Sequence, residues 1–194
     1  MNEVKTVKLS NEVKSSLDYL YQKIFELKNK KRNSKNKTKT VIIHSISSNK
    51  LKKYKKSQIF QNLVNFINSS FTVLEQSIQQ SKNTANTTNF KIHFQKVNVQ
   101  NQNSLNKVCL IPFHKDDYNE IPRPVWTMIY ILKKDPDVIC NNLWYKINGI
   151  LININLVPNE CIIIPGNLYY GLDEIYGNGN LELLSIQFER IINV

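Results

Sequence analysis

The residue types best suited to bind a metal or move a proton gather in one short stretch, His114-Lys115-Asp116, with Asp117 and Glu120 just beyond. On an extended chain, positions two apart point to the same face, so the His114 imidazole and the Asp116 carboxylate can converge on one ion. A surface ion pair is the plainer use of the same tripeptide. Asp116, Asp117 and Glu120 can alternatively offer oxygens to a hard cation or simply stay solvated. The remaining histidines, His44 and His93, both precede this stretch, and the sequence has no Gly-x-Ser-x-Gly, so a hydrolase triad in the order Ser, Asp, His cannot be built. Cys109, Cys140 and Cys161 lack paired CxxC spacing and sit in or beside apolar runs, which predicts buried free thiols rather than zinc ligands. The GNGN at 177–180 lacks the strand-to-helix setting of a phosphate cradle and reads as a hairpin turn.

The elements that must position these groups fall into two textures. Residues 10–28 carry Val13, Leu17, Leu20, Tyr21, Ile24 and Leu27 at helical spacing behind a capping Ser10. A basic polar run follows, then a strand over 40–46, a second basic cluster, and from Ser57 a second amphipathic helix with Ile59, Phe60, Leu63, Val64, Ile67, Phe71, Leu74 and Ile78 as its stripe. After Phe90, short β-branched and aromatic runs alternate with Asn, Asp, Pro and Gly, the pattern of a sandwich or barrel. The expectation is an α+β single domain over 1–194, with a basic helical support region at 1–89 and an all-β core at 90–194.

With 194 residues, 41% of them hydrophobic, the chain can bury one core of ordinary size, and its 3 Cys and 5 Gly exclude a disulfide mini-protein or a collagen-like repeat. No run is long enough for a membrane span and the first residues read as no secretory signal, so a cytoplasmic or nuclear location is expected. The net charge of +11 is unevenly spread: residues 1–110 hold 20 Lys and Arg against 5 Asp and Glu, and residues 111–194 hold 6 against 10. An attractive surface for an acidic partner is therefore expected from Lys30, Lys31, Arg32, Lys52, Lys53, Lys55 and Lys56, with a protein partner preferred and nucleic acid possible. Only Tyr54 interleaves with those lysines, which argues against stacking on single strands there.

The order of motifs over roughly 90–190 resembles the Fe(II)/2-oxoglutarate-dependent oxygenases, in particular the prolyl-hydroxylase-like group. The matching residues are His114-Lys115-Asp116, Thr127-Met128-Ile129-Tyr130-Ile131-Leu132, Asn141-Asn142, Ile164-Pro165-Gly166, Tyr170-Gly171-Leu172 and the strand Leu181 to Phe188. The resemblance implies a double-stranded β-helix, or jelly roll, with helices from the N-terminal half as support. It also implies iron ligands at His114 and Asp116, a distal ligand place at Tyr170, and co-substrate contacts at Tyr130 and Asn180. Two of those places depart from the pattern. Tyr170 stands where the family puts its second imidazole, and Asn180 where a cation pairs with the far carboxylate of 2-oxoglutarate.

The departures favour a catalytically degenerate oxygenase-like protein that binds or interferes with a macromolecular partner and carries no cofactor. The alternatives are an active hydroxylase of a protein or nucleic acid, using Fe(II) and 2-oxoglutarate in an altered site, and a basic nucleic-acid-binding protein. The opening segment and the Asn-, Lys- and Ile-rich usage are also similar to hydroxylase-like proteins of poxviruses, which would imply a viral protein aimed at host factors.

Overall fold

The computed structural model describes residues 4–29, 41–47, 58, 61–62, 65–66, 88–101, 108–116, 125–158 and 160–190. Its elements run β1 (Lys5–Lys8), α1 (Asn11–Asn29), β2 (Val41–Ser47), β3 (Thr88–Asn101), β4 (Val125–Lys134), β5 (Val138–Ile139), β6 (Asn142–Ile147), β7 (Ile150–Asn155), β8 (Glu160–Pro165), β9 (Tyr169–Leu172) and β10 (Tyr176–Arg190). The main sheet has the order β1-β8-β4-β10-β3-β2, with β5 pairing β10, and a second sheet has the order β7-β6-β9. All the pairings are antiparallel.

Two cores follow from strand alternation. One face of the main sheet, with Ile92, Phe94, Met128, Tyr130, Ile163, Leu184 and Ile186, packs against Val13, Leu17, Leu20 and Tyr21 of α1. The opposite face contributes Val97, Ile129, Ile131, Ile162, Leu181 and Leu183, which meet Leu143, Tyr170 and Leu172 of the second sheet. The helix begins as its sequence predicts. The Val13 amide donates to Ser10 Oγ at 3.4 Å, satisfying one of the first-turn N–H groups that a helix cannot pair internally.

The protein is richer in β structure than the expected α+β arrangement of a jelly roll behind two helices. The front segment supplies β1 to one edge of the main sheet, opposite β8, and β2 to the other, opposite β3, as well as its helix. Of the second helix expected from Ser57, residues 58, 61–62 and 65–66 are described and helical; the rest lies outside the described residues, as do residues 30–39 and 50–56. The 177–180 segment is no hairpin turn: it continues β10, with Gly177 opposite Asn101 and Asn180 opposite Asn98. The tight hairpin falls instead at Asn148-Gly149 between β6 and β7, where φ values of 49° and 83° give the doubly left-handed turn that Asn-Gly favours. Among the described residues, no helix is long and apolar enough to cross a membrane.

Candidate functional site

His114 is carried by a short segment that runs antiparallel beside β9 of the second sheet. The His114 amide donates to the Tyr170 carbonyl at 2.9 Å, and the Tyr170 amide donates to the His114 carbonyl at 2.7 Å. Further along, the Leu172 amide donates to the Ile111 carbonyl at 3.0 Å. Gly171 makes this approach possible. A Cβ there would lie 2.9 Å from the Phe113 Cα and 3.2 Å from the Ile111 oxygen, closer than packed backbone tolerates.

Asp116 is the hub of the site, with its side chain 7% exposed. Its Oδ2 accepts from the Thr127 hydroxyl at 2.5 Å and from the Tyr170 phenol at 2.8 Å. Its Oδ1 accepts from Gln187 Nε2 at 3.2 Å and lies 3.5 Å from His114 Nε2. The other ring nitrogen, His114 Nδ1, donates to the Pro112 carbonyl at 2.6 Å, since a carbonyl can only accept. That bond aims Nε2 at the carboxylate. The phenol of Tyr170 is held well above the ordinary range for ionisation, first by burial and then by the adjacent Asp116 charge. It is thus a neutral donor to the carboxylate.

A second imidazole lies on the same inner face of the main sheet. His93 sits opposite Ser45 on β2 and Ser185 on β10, and its Nδ1 is 2.8 Å from the Ser45 hydroxyl. Its Nε2 is buried and unpartnered, as is Gln95 Oε1 two residues on. Burial and the Lys91 charge lower the His93 pKa, against smaller opposing contributions from Gln187 and Asp116. His44 is buried opposite Phe94, on the face turned to the helix-side core.

Comparison with solved structures settles the fold. A Pseudomonas putida prolyl-4-hydroxylase superposes with a TM-score of 0.59 at 12% identity, over 99% of this chain and 95% of that one. The Arabidopsis thaliana dioxygenase for auxin oxidation, in its 2-oxoglutarate complex, gives 0.57 at 12% identity, over 97% and 84%. The chain has the Fe(II)/2-oxoglutarate oxygenase fold. A Trichoplax adhaerens prolyl hydroxylase, in complex with a hypoxia-inducible-factor peptide fragment, gives 0.55 at 11% identity, over 98% of this chain and 84% of that one. No family model matches the sequence, and no curated protein does.

Among the described residues, the donor set that an oxygenase fold uses is incomplete. His114 and Asp116 stand together, and the Tyr170 phenol reaches Asp116 from β9 and spends its proton on that carboxylate. Among the described residues, no three His, Cys, Asp or Glu side chains converge to hold a metal ion. Of the two expected co-substrate contacts, Tyr130 packs in the helix-side core, because alternation along β4 sends Thr127 and Ile129 inward and Tyr130 outward. Asn180 is turned to Asp135, with its backbone amide and side-chain Nδ2 donating to Asp135 Oδ2 at 2.8 and 3.2 Å. The inward positions nearby on β10 are Leu181 and Leu183, fully buried among apolar neighbours. The described residues therefore do not complete a 2-His-1-carboxylate iron site with its dicarboxylate co-substrate.

Asp117, Glu120, Lys30, Lys31, Arg32, Lys52, Lys53, Lys55 and Lys56 lie outside the described residues. Thr127 and Gln187 were not singled out as site residues from the sequence. Each is a polar residue at an inward position of an apolar strand, in VWTMIYIL and LELLSIQFE, and that interruption is the signal that would have found them.

Proposed function

We propose that this protein is a catalytically degenerate 2-oxoglutarate-oxygenase fold that works as a binding or interference module for a macromolecular partner. The observation that carries the reading is the state of Asp116. Three side-chain donors occupy the carboxylate that an iron would need, and one of them is the neutral phenol of Tyr170 rather than an imidazole. A carboxylate already satisfied in a buried site gains little from a metal that must first displace those donors. The Lys-rich segments at 28–39 and 50–56 would add long-range attraction to an acidic partner.

The second reading is an active hydroxylase with an altered iron site. Its support is His114, whose Nδ1 bond to the Pro112 carbonyl fixes the ring as such bonds fix metal-ligating histidines. Titration with Mn(II) or Fe(II), with and without 2-oxoglutarate, separates the two. Degeneracy predicts no metal-dependent rise in melting temperature and no succinate release. Metal-dependent stabilisation together with succinate release establishes the second reading and overturns the first.

A further inference from the structure

The outer face of the second sheet carries an aromatic and basic grid that the site described above does not use. Strand register and alternation put Trp144 and Lys146 of β6 on this face, with Lys146 beside Tyr169 and Trp144 beside Gly171. The segment through His114 adds a further row, since Tyr170 pairs with His114 and Gly171 lies against Phe113. Tyr169 and Phe113 are 45% and 48% exposed, and their rings stack with centroids 5.8 Å apart and planes within 20°. Lys115 Nζ lies 5.7 Å from the Tyr169 ring centroid. Gly171, between Trp144 and Phe113, lets the Phe113 backbone close against β9, which brings the Phe113 ring onto this face. The nearby carboxylate, Asp173, already accepts from Asn142 Nδ2 at 2.8 Å and from the indole N–H of Trp144.

We infer that this face is a docking platform for single-stranded nucleic acid, with bases stacking on Phe113, Tyr169 and Trp144 and phosphates meeting Lys115 and Lys146. Exposed rings on a sheet, interleaved with lysines, suit unpaired bases because every base has a π-face and every linkage a negative charge. Charge decides between this occupant and a peptide. The two lysines lie among the rings and the nearby Asp173 carboxylate is already held by Asn142 and Trp144, whereas a proline-rich ligand would need the rings alone. The inference rests on the reading that the chain acts by binding, and names the partner's chemistry.

The test is fluorescence anisotropy of the full chain with a labelled oligothymidylate, the matching duplex and a labelled proline-rich peptide, over a salt series. The platform predicts preference for the single strand. Tyr169→Ala and Phe113→Ala each weaken binding roughly ten-fold, the loss expected for one stacked base. Tyr169→Trp retains binding, and Lys146→Ala lowers the salt slope by about one. Tyr19→Ala is the control: it removes an exposed ring on α1 that also has a lysine, Lys23, 5.6 Å from its centroid, and it leaves binding unchanged. Equal affinity for duplex, no loss on ring removal, or preferential capture of the peptide overturns the platform. None of these outcomes touches the metal titration, so this inference can fail while degeneracy stands. Succinate release would overturn degeneracy whatever the oligonucleotide does.

Discussion

Removing the Asp116 carboxylate should cost this protein stability, a result opposite to that expected of a carboxylate kept for iron. In Asp116→Ala, three donors lose their acceptor: Thr127 Oγ1, Tyr170 Oη and Gln187 Nε2. Thr127 and Tyr170 are 1% and 2% exposed, so water does not readily replace the lost bond. At roughly 1–3 kcal/mol for each buried polar group left unsatisfied, with Gln187 free to turn outward, the loss comes to about 3–5 kcal/mol. Tyr170→Phe should cost less, about 1.5 kcal/mol, because Asp116 Oδ2 keeps its bond from Thr127. For a domain of this size those losses correspond to falls in melting temperature of roughly 6–20 °C and 3–6 °C. Urea unfolding followed by tryptophan fluorescence reads them as midpoint shifts at constant slope. An Asp116→Ala protein within about 0.5 kcal/mol of the parent, or more stable, would show that the cost of burying the charge exceeds the worth of its bonds. The three bonds to Asp116 would then contribute no net stability, against the role assigned to them.

Gly171→Ala should destabilise by roughly 1–3 kcal/mol, since the backbone at Phe113 must retreat from the new methyl, and chemical shifts at His114 should move with it. Stability should fall as pH rises past about 9, where unfolded thiols and then phenols begin to ionise. Burial raises the folded values of Cys140 to about 11 and Tyr130 to about 12, and lifts Cys161 and Tyr170 as well, so these groups favour the folded state fully only below their unfolded values. A flat unfolding free energy between pH 8 and 11 would contradict that burial. On the acid side, the lowered pKa of His93 makes stability decline as pH falls through its unfolded value near 6.5, and His93→Gln should flatten that limb in urea titrations, with Lys91 and Asp116 as the neighbouring charges. Tyr170→His should introduce Mn(II) binding measurable by calorimetry if β9 occupies the distal ligand place; absence of binding in a folded variant would refute that placement.

Much of the jelly roll was legible because its strands are short runs of β-branched and aromatic residues whose alternation reports both faces. The same alternation identifies Tyr130 as outward-facing, which the T-x-I-Y-x-L resemblance alone does not. β1 was not legible: Lys-Thr-Val-Lys is too short and polar to announce a strand, and it forms because β8 offers an open edge. Asn180 misled for another reason, since counting along the chain gives a place on β10 but not the face on which the side chain emerges. The hydrogen bonds around Asp116 join residues 11, 54 and 71 positions away, separations that no local pattern encodes.

The position of β10 bears on how the chain reaches this structure. It lies between β4 and β3, and those strands meet only through it. During synthesis the two halves of the main sheet are complete in sequence but unjoined until residues 176–190 have been made, so the edges of β3 and β4 stay bare longest. A chain stopped at Ile175 would keep both edges, each lined by Val and Ile, and should self-associate rather than persist as a smaller folded unit.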